Sequence, residues 1–209
     1  MILDKEITVI DNFIDKEYQE EIKQILIGNK PFLYENEEFD FDWYFVTDVT
    51  DAFASPDRQQ KRCALSHVYQ GMDWAEDESD PLNSLFVPML SEVCRKTDID
   101  NLKIIQGRSF LQFPLNLKDK TPDTPHIDLD QGKQHIVALY YVCDSDGDTI
   151  IYNERRDQGL EAKSYTIKEK VTPKQGRMVI FDGTLYHTAE QPENNVRCVV
   201  NYDLEPDVS

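Results

Sequence analysis

The sequence predicts a mainly β protein, with an N-terminal helical layer packed against a C-terminal β-barrel or double sheet. Three observations lead there. From residue 103 onward, short runs rich in β-branched and aromatic residues alternate with clusters of Gly, Pro, Asp and Asn. Before residue 103, two stretches instead carry apolar residues at helical spacing behind good capping residues. The chain has 209 residues, of which 40% are hydrophobic and 11% aromatic, enough to fill the core of one domain. We therefore read 1–209 as a single domain, with 1–102 as a supporting region and 103–209 as the core.

Taken in order, residues 7–13 read as a short strand ending in a turn. Asp15 can then cap a helix to about residue 27, with Tyr18, Ile22, Ile25 and Leu26 on one face. Gly28-Asn29 is its stop. Residues 31–62 mix Phe32, Leu33, Phe39, Phe41, Trp43, Tyr44 and Phe45 with many acids, and read as a strand region bounded by loops. Residues 73–80 are an acidic loop. Asp80-Pro81 starts a second helix that runs to about Lys96, with Pro88 expected to kink it. The β-rich runs follow at 103–115, 135–143, 149–153, 163–171, 176–181, 184–190 and 196–204. Gly147 and Gly176 fit tight turns, and Asp182-Gly183 fits a hairpin into the run that holds His187.

Charge and cysteine usage narrow the function classes. Forty acidic and 22 basic residues give a formal net charge of −18. Electrostatic capture of nucleic acid needs clustered Lys and Arg, so no nucleic-acid partner is expected. No run of eighteen apolar residues exists, and the first residues lack a basic-then-apolar signal, so membrane insertion and export are not expected. Cys63, Cys94, Cys143 and Cys198 form no CxxC pair and read as free thiols in a reducing, cytoplasmic setting.

The chemistry centres on histidine. Only His67, His126, His135 and His187 are present. In Pro125-His126-Ile127-Asp128 a histidine and a carboxylate stand two residues apart, and on an extended strand such positions face the same side. His187, in Leu185-Tyr186-His187-Thr188, supplies a third candidate from a later strand. Two His and one carboxylate on one face of an octahedron leave three positions open, the arrangement of non-haem Fe(II) oxygenases. Arg197, ten residues beyond His187, is a candidate to bind a carboxylate in bidentate fashion. An HxD tripeptide alone is a weak signal, so the reading rests on the whole set. His67 reads as structural or as lining the substrate cleft, and His135 as a strand-start residue satisfied by solvent or a partner hydroxyl.

Residues 103–204 resemble the double-stranded β-helix (a jelly-roll, cupin-like core) of the Fe(II)/2-oxoglutarate dioxygenase superfamily, especially its prolyl-4-hydroxylase-like branch. The resemblance is carried by Thr124-Pro-His126-Ile-Asp128, Tyr140-Tyr141-Val142, Asp146-Gly147-Asp148-Thr149, Pro173-Lys-Gln-Gly176-Arg-Met-Val-Ile-Phe181, His187 and Arg197. Val9-Ile-Asp-Asn-Phe13 followed by a helix is similar to the start of that branch. The resemblance implies N-terminal helices packed on one sheet, and His126, Asp128 and His187 as both iron ligands and catalytic centre. It implies Arg197 and Tyr141 as 2-oxoglutarate anchors, and a one-residue slip in register would put Tyr140 in place of Tyr141. It places Phe113 where the family often has a cofactor-facing tyrosine, with Gln112 or Arg108 available to compensate.

The implied cofactors are Fe(II) and 2-oxoglutarate, with O2 as co-substrate and ascorbate as an auxiliary. The implied reaction is hydroxylation of a peptidyl proline or an amino-acid-like small molecule, with succinate and CO2 as co-products. Segments 34–62, 71–80, 116–124 and 153–164 are expected to shape the substrate cleft. Two alternatives stay open: a cupin-like metal enzyme that uses no 2-oxoglutarate, and a non-catalytic barrel that binds without turnover. Neither the substrate nor the oligomeric state is legible in the sequence.

Overall fold

The computed structural model describes residues 3–49, 61–71, 80–118, 120–129, 133–156 and 164–207. Most of the acidic loop at 73–80, and parts of the cleft segments 34–62, 71–80, 116–124 and 153–164, lie outside the described residues. Strand β1 (Ile7–Ile10) leads through a turn into helix α1 (Lys16–Ile27), whose first turn is capped by the Asp15 carboxylate accepting from the Tyr18 N–H at 2.9 Å. A small hairpin, β2 (Phe32–Tyr34) and β3 (Glu37–Phe39), precedes β4 (Tyr44–Val46) and β5 (Ala64–Gln70).

The second helical region departs from the expected single kinked helix. A 3-10 helix spans Pro81–Phe86, and α2 (Val87–Thr97) starts afresh behind it with Pro88 in its first turn. Proline has no N–H to give the carbonyl four residues back, and its ring crowds that carbonyl. α-Helical bonding therefore cannot run through from Pro81. The earlier residues tighten into 3-10 geometry, and Pro88 takes the one place in an α-helix where its missing donor costs little.

Seven strands follow: β6 (Leu102–Gln112), β7 (Ile136–Tyr141), β8 (Thr149–Arg155), β9 (Ile167–Val171), β10 (Met178–Asp182), β11 (Leu185–Ala189) and β12 (Arg197–Pro206). The large antiparallel sheet has the order β1-β10-β7-β12-β6-β5-β4, and a three-stranded sheet has the order β11-β8-β9. Strict alternation gives the large sheet two apolar faces. On one face, Ala138, Tyr140, Met178, Ile180, Val200, Tyr202 and Leu204 share a buried cluster with Ile22, Ile25 and Leu26 of α1 and Met89 and Val93 of α2. On the other, Val137, Leu139, Tyr141, Val179, Phe181 and Val199 meet Ile151, Val171 and Leu185 of the smaller sheet. The result is a two-sheet β-sandwich of jelly-roll type, with the site between its sheets.

Asp182-Gly183 does not close a hairpin, because β10 lies in the large sheet and β11 in the small one. The link crosses between layers, with Asp182 Oδ1 accepting from both the N–H and the hydroxyl of Thr184. Glycine is needed there for space, since a Cβ at Gly183 would sit 2.1 Å from His135 Nε2. Gly176 is needed for conformation as well: its φ is +78°, and its N–H donates to the Tyr141 carbonyl. All four cysteines are free thiols, with Cys143 and Cys198 buried. Among the described residues, no helix is long and apolar enough to cross a membrane.

Candidate metal centre and anion pocket

The small sheet gains a single extra rung beside β11. His126 and His187 form an isolated antiparallel bridge, His126 N–H donating to the His187 carbonyl at 3.0 Å and His187 N–H to the His126 carbonyl at 2.9 Å. This pairing sets the two imidazoles side by side, with ring centroids 4.7 Å apart. Asp128, two residues on, turns to the same side. One ligand atom from each of His126, Asp128 and His187 can be chosen so that all three lie within 4.8 Å of one another. Asp128 Oδ2 is 3.4 Å from His187 Nε2, and Oδ1 is 3.8 Å from His126 Nε2.

Local hydrogen bonds prepare these groups for a cation. His126 Nδ1 faces the Thr124 carbonyl at 3.0 Å, and His187 Nδ1 faces the Leu185 carbonyl at 3.2 Å. A carbonyl only accepts, so each Nδ1 carries the proton and each Nε2 keeps its lone pair. Burial, with the neighbouring His187, pushes the His126 imidazole down to about 4. Burial alone would raise Asp128, but the Arg108 guanidinium and His187 hold its carboxyl well below the usual carboxylate range. Two neutral imidazoles and one carboxylate thus converge, a donor set suited to a divalent transition metal.

The cavity they border encloses about 160 Å³ and runs along the inner face of the large sheet. Cross-strand register orders that face in rows. Arg197 pairs with Gln112, Val199 with both Phe110 and Tyr141, and Asn201 with both Arg108 and Leu139. Asp128 sits over the last row: Arg108 donates to its Oδ1, and Asn201 Nδ2 lies 3.3 Å from its Oδ2. The first row closes the other end. Arg197, only 5% exposed, donates from Nε to the Gly147 carbonyl at 3.0 Å, from Nη1 to Gln112 Oε1 at 2.9 Å and from Nη2 to Thr149 Oγ1 at 2.8 Å.

Those three bonds use three of the five guanidinium N–H groups, leaving one on each terminal nitrogen. Thr149 Oγ1 also accepts from the Tyr141 hydroxyl at 2.6 Å, so with two bonds accepted its own proton is left to donate. Among the described residues, no carboxylate lies within ion-pair distance of Arg197. The nearest carboxylate to act on it is the buried Asp123, which is itself paired with Arg62. A buried cation whose direct hydrogen bonds go to neutral groups, with a residual fork of donors, is an arrangement an anion completes.

The structure thus brings His126, Asp128, His187 and Arg197 to one cavity. Tyr141 lies on the cavity face of β7 and Tyr140 on the helix-side face. The Tyr141 hydroxyl reaches Thr149, and the Arg197 guanidinium carbon lies 5.8 Å from its ring centroid. Phe113 is displaced from its expected place. It packs against the helix-side cluster, and the cavity face of β6 presents Arg108, Phe110 and Gln112. His67 is buried between the Asp42 carbonyl and Asp80, 3.1 Å from Asp80 Oδ2, away from the cavity. His135 gives Nδ1 to the Lys133 carbonyl at 2.7 Å, where a hydroxyl or water was expected. Thr149, Asn201 and the buried Asp203 carry no role predicted from the sequence. Counting alternate positions from Arg197 along β12 reaches both Asn201 and Asp203.

No protein-family model matches this sequence, and no curated protein sequence matches it. Solved structures do share its fold. An oxidoreductase of the 2OG-Fe(II) oxygenase family from Burkholderia pseudomallei superposes with TM-score 0.61 at 10% identity, over 97% of this chain and 86% of that one. The non-heme alpha-ketoglutarate-dependent carbocyclase SnoK from nogalamycin biosynthesis gives TM-score 0.58 at 13% identity, over 96% and 80%. A prolyl hydroxylase from Trichoplax adhaerens, in complex with a hypoxia-inducible-factor peptide fragment, gives 0.53 at 12% identity, over 97% and 84%. At these identities the likeness establishes the fold.

Proposed function

We propose that this chain is an Fe(II)- and 2-oxoglutarate-dependent oxygenase in which His126, Asp128 and His187 hold the metal and Arg197 anchors the far carboxylate of 2-oxoglutarate. One observation carries the reading: a convergent His-Asp-His set and a buried arginine that makes no ion pair among the described residues border the same cavity. The residues fit both groups. Two Nε2 lone pairs and an ionised carboxylate suit Fe(II), and the donor fork of Arg197 suits a carboxylate.

When bound, Fe(II) and 2-oxoglutarate together supply the oxidative chemistry, consuming O2 and yielding succinate, CO2 and an oxidised substrate. The protein holds and shields. The Thr124 and Leu185 carbonyls fix the two imidazole rings. Arg197 offers its two remaining N–H groups and Thr149 its hydroxyl to one carboxylate, while Gln112 and Gly147 keep the guanidinium aimed. Phe110, Leu139 and Val199 line the wall between the two ends and exclude water from the chain of a five-carbon diacid.

The substrate we infer is a prolyl residue in a peptide or an amino-acid-like small molecule, with hydroxylation as the outcome. The similarly folded Trichoplax enzyme bound to a peptide supports the first. SnoK, named as a carbocyclase, has the same fold, so the fold itself admits other outcomes.

Anaerobic titration of the Fe(II)-loaded protein with 2-oxoglutarate tests the core of this reading. A weak visible charge-transfer band is expected, and Ala at His126, Asp128 or His187 should remove it. Metal binding without the band would instead mark a barrel metal enzyme that does not use 2-oxoglutarate. A protein that takes up no metal at all would end the proposal. Succinate release over a panel of proline peptides and free amino acids then identifies the substrate class.

A further inference from the structure

We infer that Arg108 holds Asp128 to one-oxygen coordination and so keeps one position on the metal open. This deepens the metal reading above and rests on it. Asp128 lies outside any strand, two residues past the His126 rung. A carboxylate on such a segment can offer a metal one oxygen or both. With one, three of six octahedral positions stay open; with two, only two do. A chelating 2-oxo acid fills two, so bidentate Asp128 would leave no place for a third ligand.

The structure occupies one of the two oxygens in advance. Arg108 projects from β6, a central strand of the large sheet, and donates to Asp128 Oδ1. Its cross-strand partner Asn201 steadies the carboxylate from the Oδ2 side. Oδ2 is the oxygen nearer a histidine ligand atom, at 3.4 Å from His187 Nε2. Oδ1 lies 3.8 Å from His126 Nε2 but carries the short charge-assisted bond from Arg108, whereas Oδ2 carries only the longer, neutral one from Asn201. Oδ2 is thus the oxygen freer to meet a metal, and Oδ1 the one withheld.

Arg108 is itself held. Asp203, with a side chain 1% exposed, lies 3.8 Å from the guanidinium, and the Phe110 ring centroid lies 5.5 Å from its central carbon. A planar, permanently charged group flanked on two sides gives up both neighbours if it swings away to release Oδ1. If Oδ1 turned toward a metal, a charge-assisted hydrogen bond would break and the guanidinium would face a second cation. Arg108 acts through Asp128, which makes it a positioning residue.

Exchangeable water on Mn(II) is the direct readout, counted by water-proton relaxation on the full-length protein without 2-oxoglutarate. Wild type is expected to show about three metal-bound waters, Arg108→Met about two, and Arg108→Lys, which restores a cationic donor to Oδ1, about three. Should Arg108→Met fail to fold, Arg108→Met combined with Asp203→Asn removes the buried carboxyl left without its neighbour and is expected to show the same two waters. Either Met variant keeping three waters would overturn the inference and leave the metal reading standing. A wild type that binds no Mn(II), Co(II) or Fe(II) would overturn both.

Discussion

Arg108 and Arg197 stand two rows apart on the same sheet face, at opposite ends of one cavity, yet they keep different company. Arg108 lies among the protein's own acids, donating to Asp128 with Asp203 close behind. Arg197 is buried more deeply still, and its hydrogen bonds go to a carbonyl, an amide oxygen and a hydroxyl. Burial pulls the Arg197 guanidinium below its ordinary range, while the two carboxylates outweigh burial and raise Arg108. One cation completes a circuit inside the fold; the other is poised for a charge from outside. The comparison teaches that residue type and burial alone do not mark a binding residue. Which charges already answer it does.

The comparison breaks most readily at Arg197. Arg197→Met should weaken 2-oxoglutarate binding by about 2–5 kcal/mol, roughly 30- to 4,000-fold, because the ligand carboxylate would then be buried without a partner. Metal affinity should stay near wild type. The anaerobic titration measures both, and a 2-oxoglutarate dissociation constant within threefold of wild type would take Arg197 out of the anchor role.

The metal end should respond to protons as well. His126 is held near 4 in the folded protein and titrates near 6.5 when unfolded. Between these values the unfolded chain binds a proton that the folded chain refuses, so its stabilising contribution is complete above 6.5 and lost as pH falls toward 4. The loss should reach about 3 kcal/mol by pH 4 in metal-free protein. Urea unfolding across that window, compared with His126→Asn, isolates it; equal slopes for the two proteins would refute it.

The mildest probe is Thr149→Val, which keeps the shape and removes one donor to the anion along with an acceptor for Arg197. It should cost about 0.5–1.5 kcal/mol, up to roughly tenfold in 2-oxoglutarate affinity, with metal binding unchanged. No change in affinity would mean that the Thr149 proton is directed elsewhere.

The residues legible in the sequence were those fixed by short-range rules. His126 and Asp128 share a side because strands alternate, and Arg197 heads an apolar strand whose parity is plain. What escaped depended on long-range register. Phe113 and Gln112 are neighbours, and only the pairing of β6 with β5 and β12 decides which of them faces the cavity. Asp182-Gly183 reads as a hairpin turn locally, yet its two strands belong to different sheets, a fact carried by partners far away in the chain. Thr149 gains its place from Tyr141 and Arg197 together, which no local pattern encodes.

The single rung between His126 and His187 also orders events in time. His126 and Asp128 are close in sequence and accompany one another even in an unfolded chain, whereas His187 reaches them only when β11 docks. An unfolded or partly synthesised chain therefore offers a metal two ligands, and the third arrives with sheet closure. Tight loading follows folding instead of driving it, so a newly made chain passes through its most error-prone stage with little hold on whichever ion is most abundant around it.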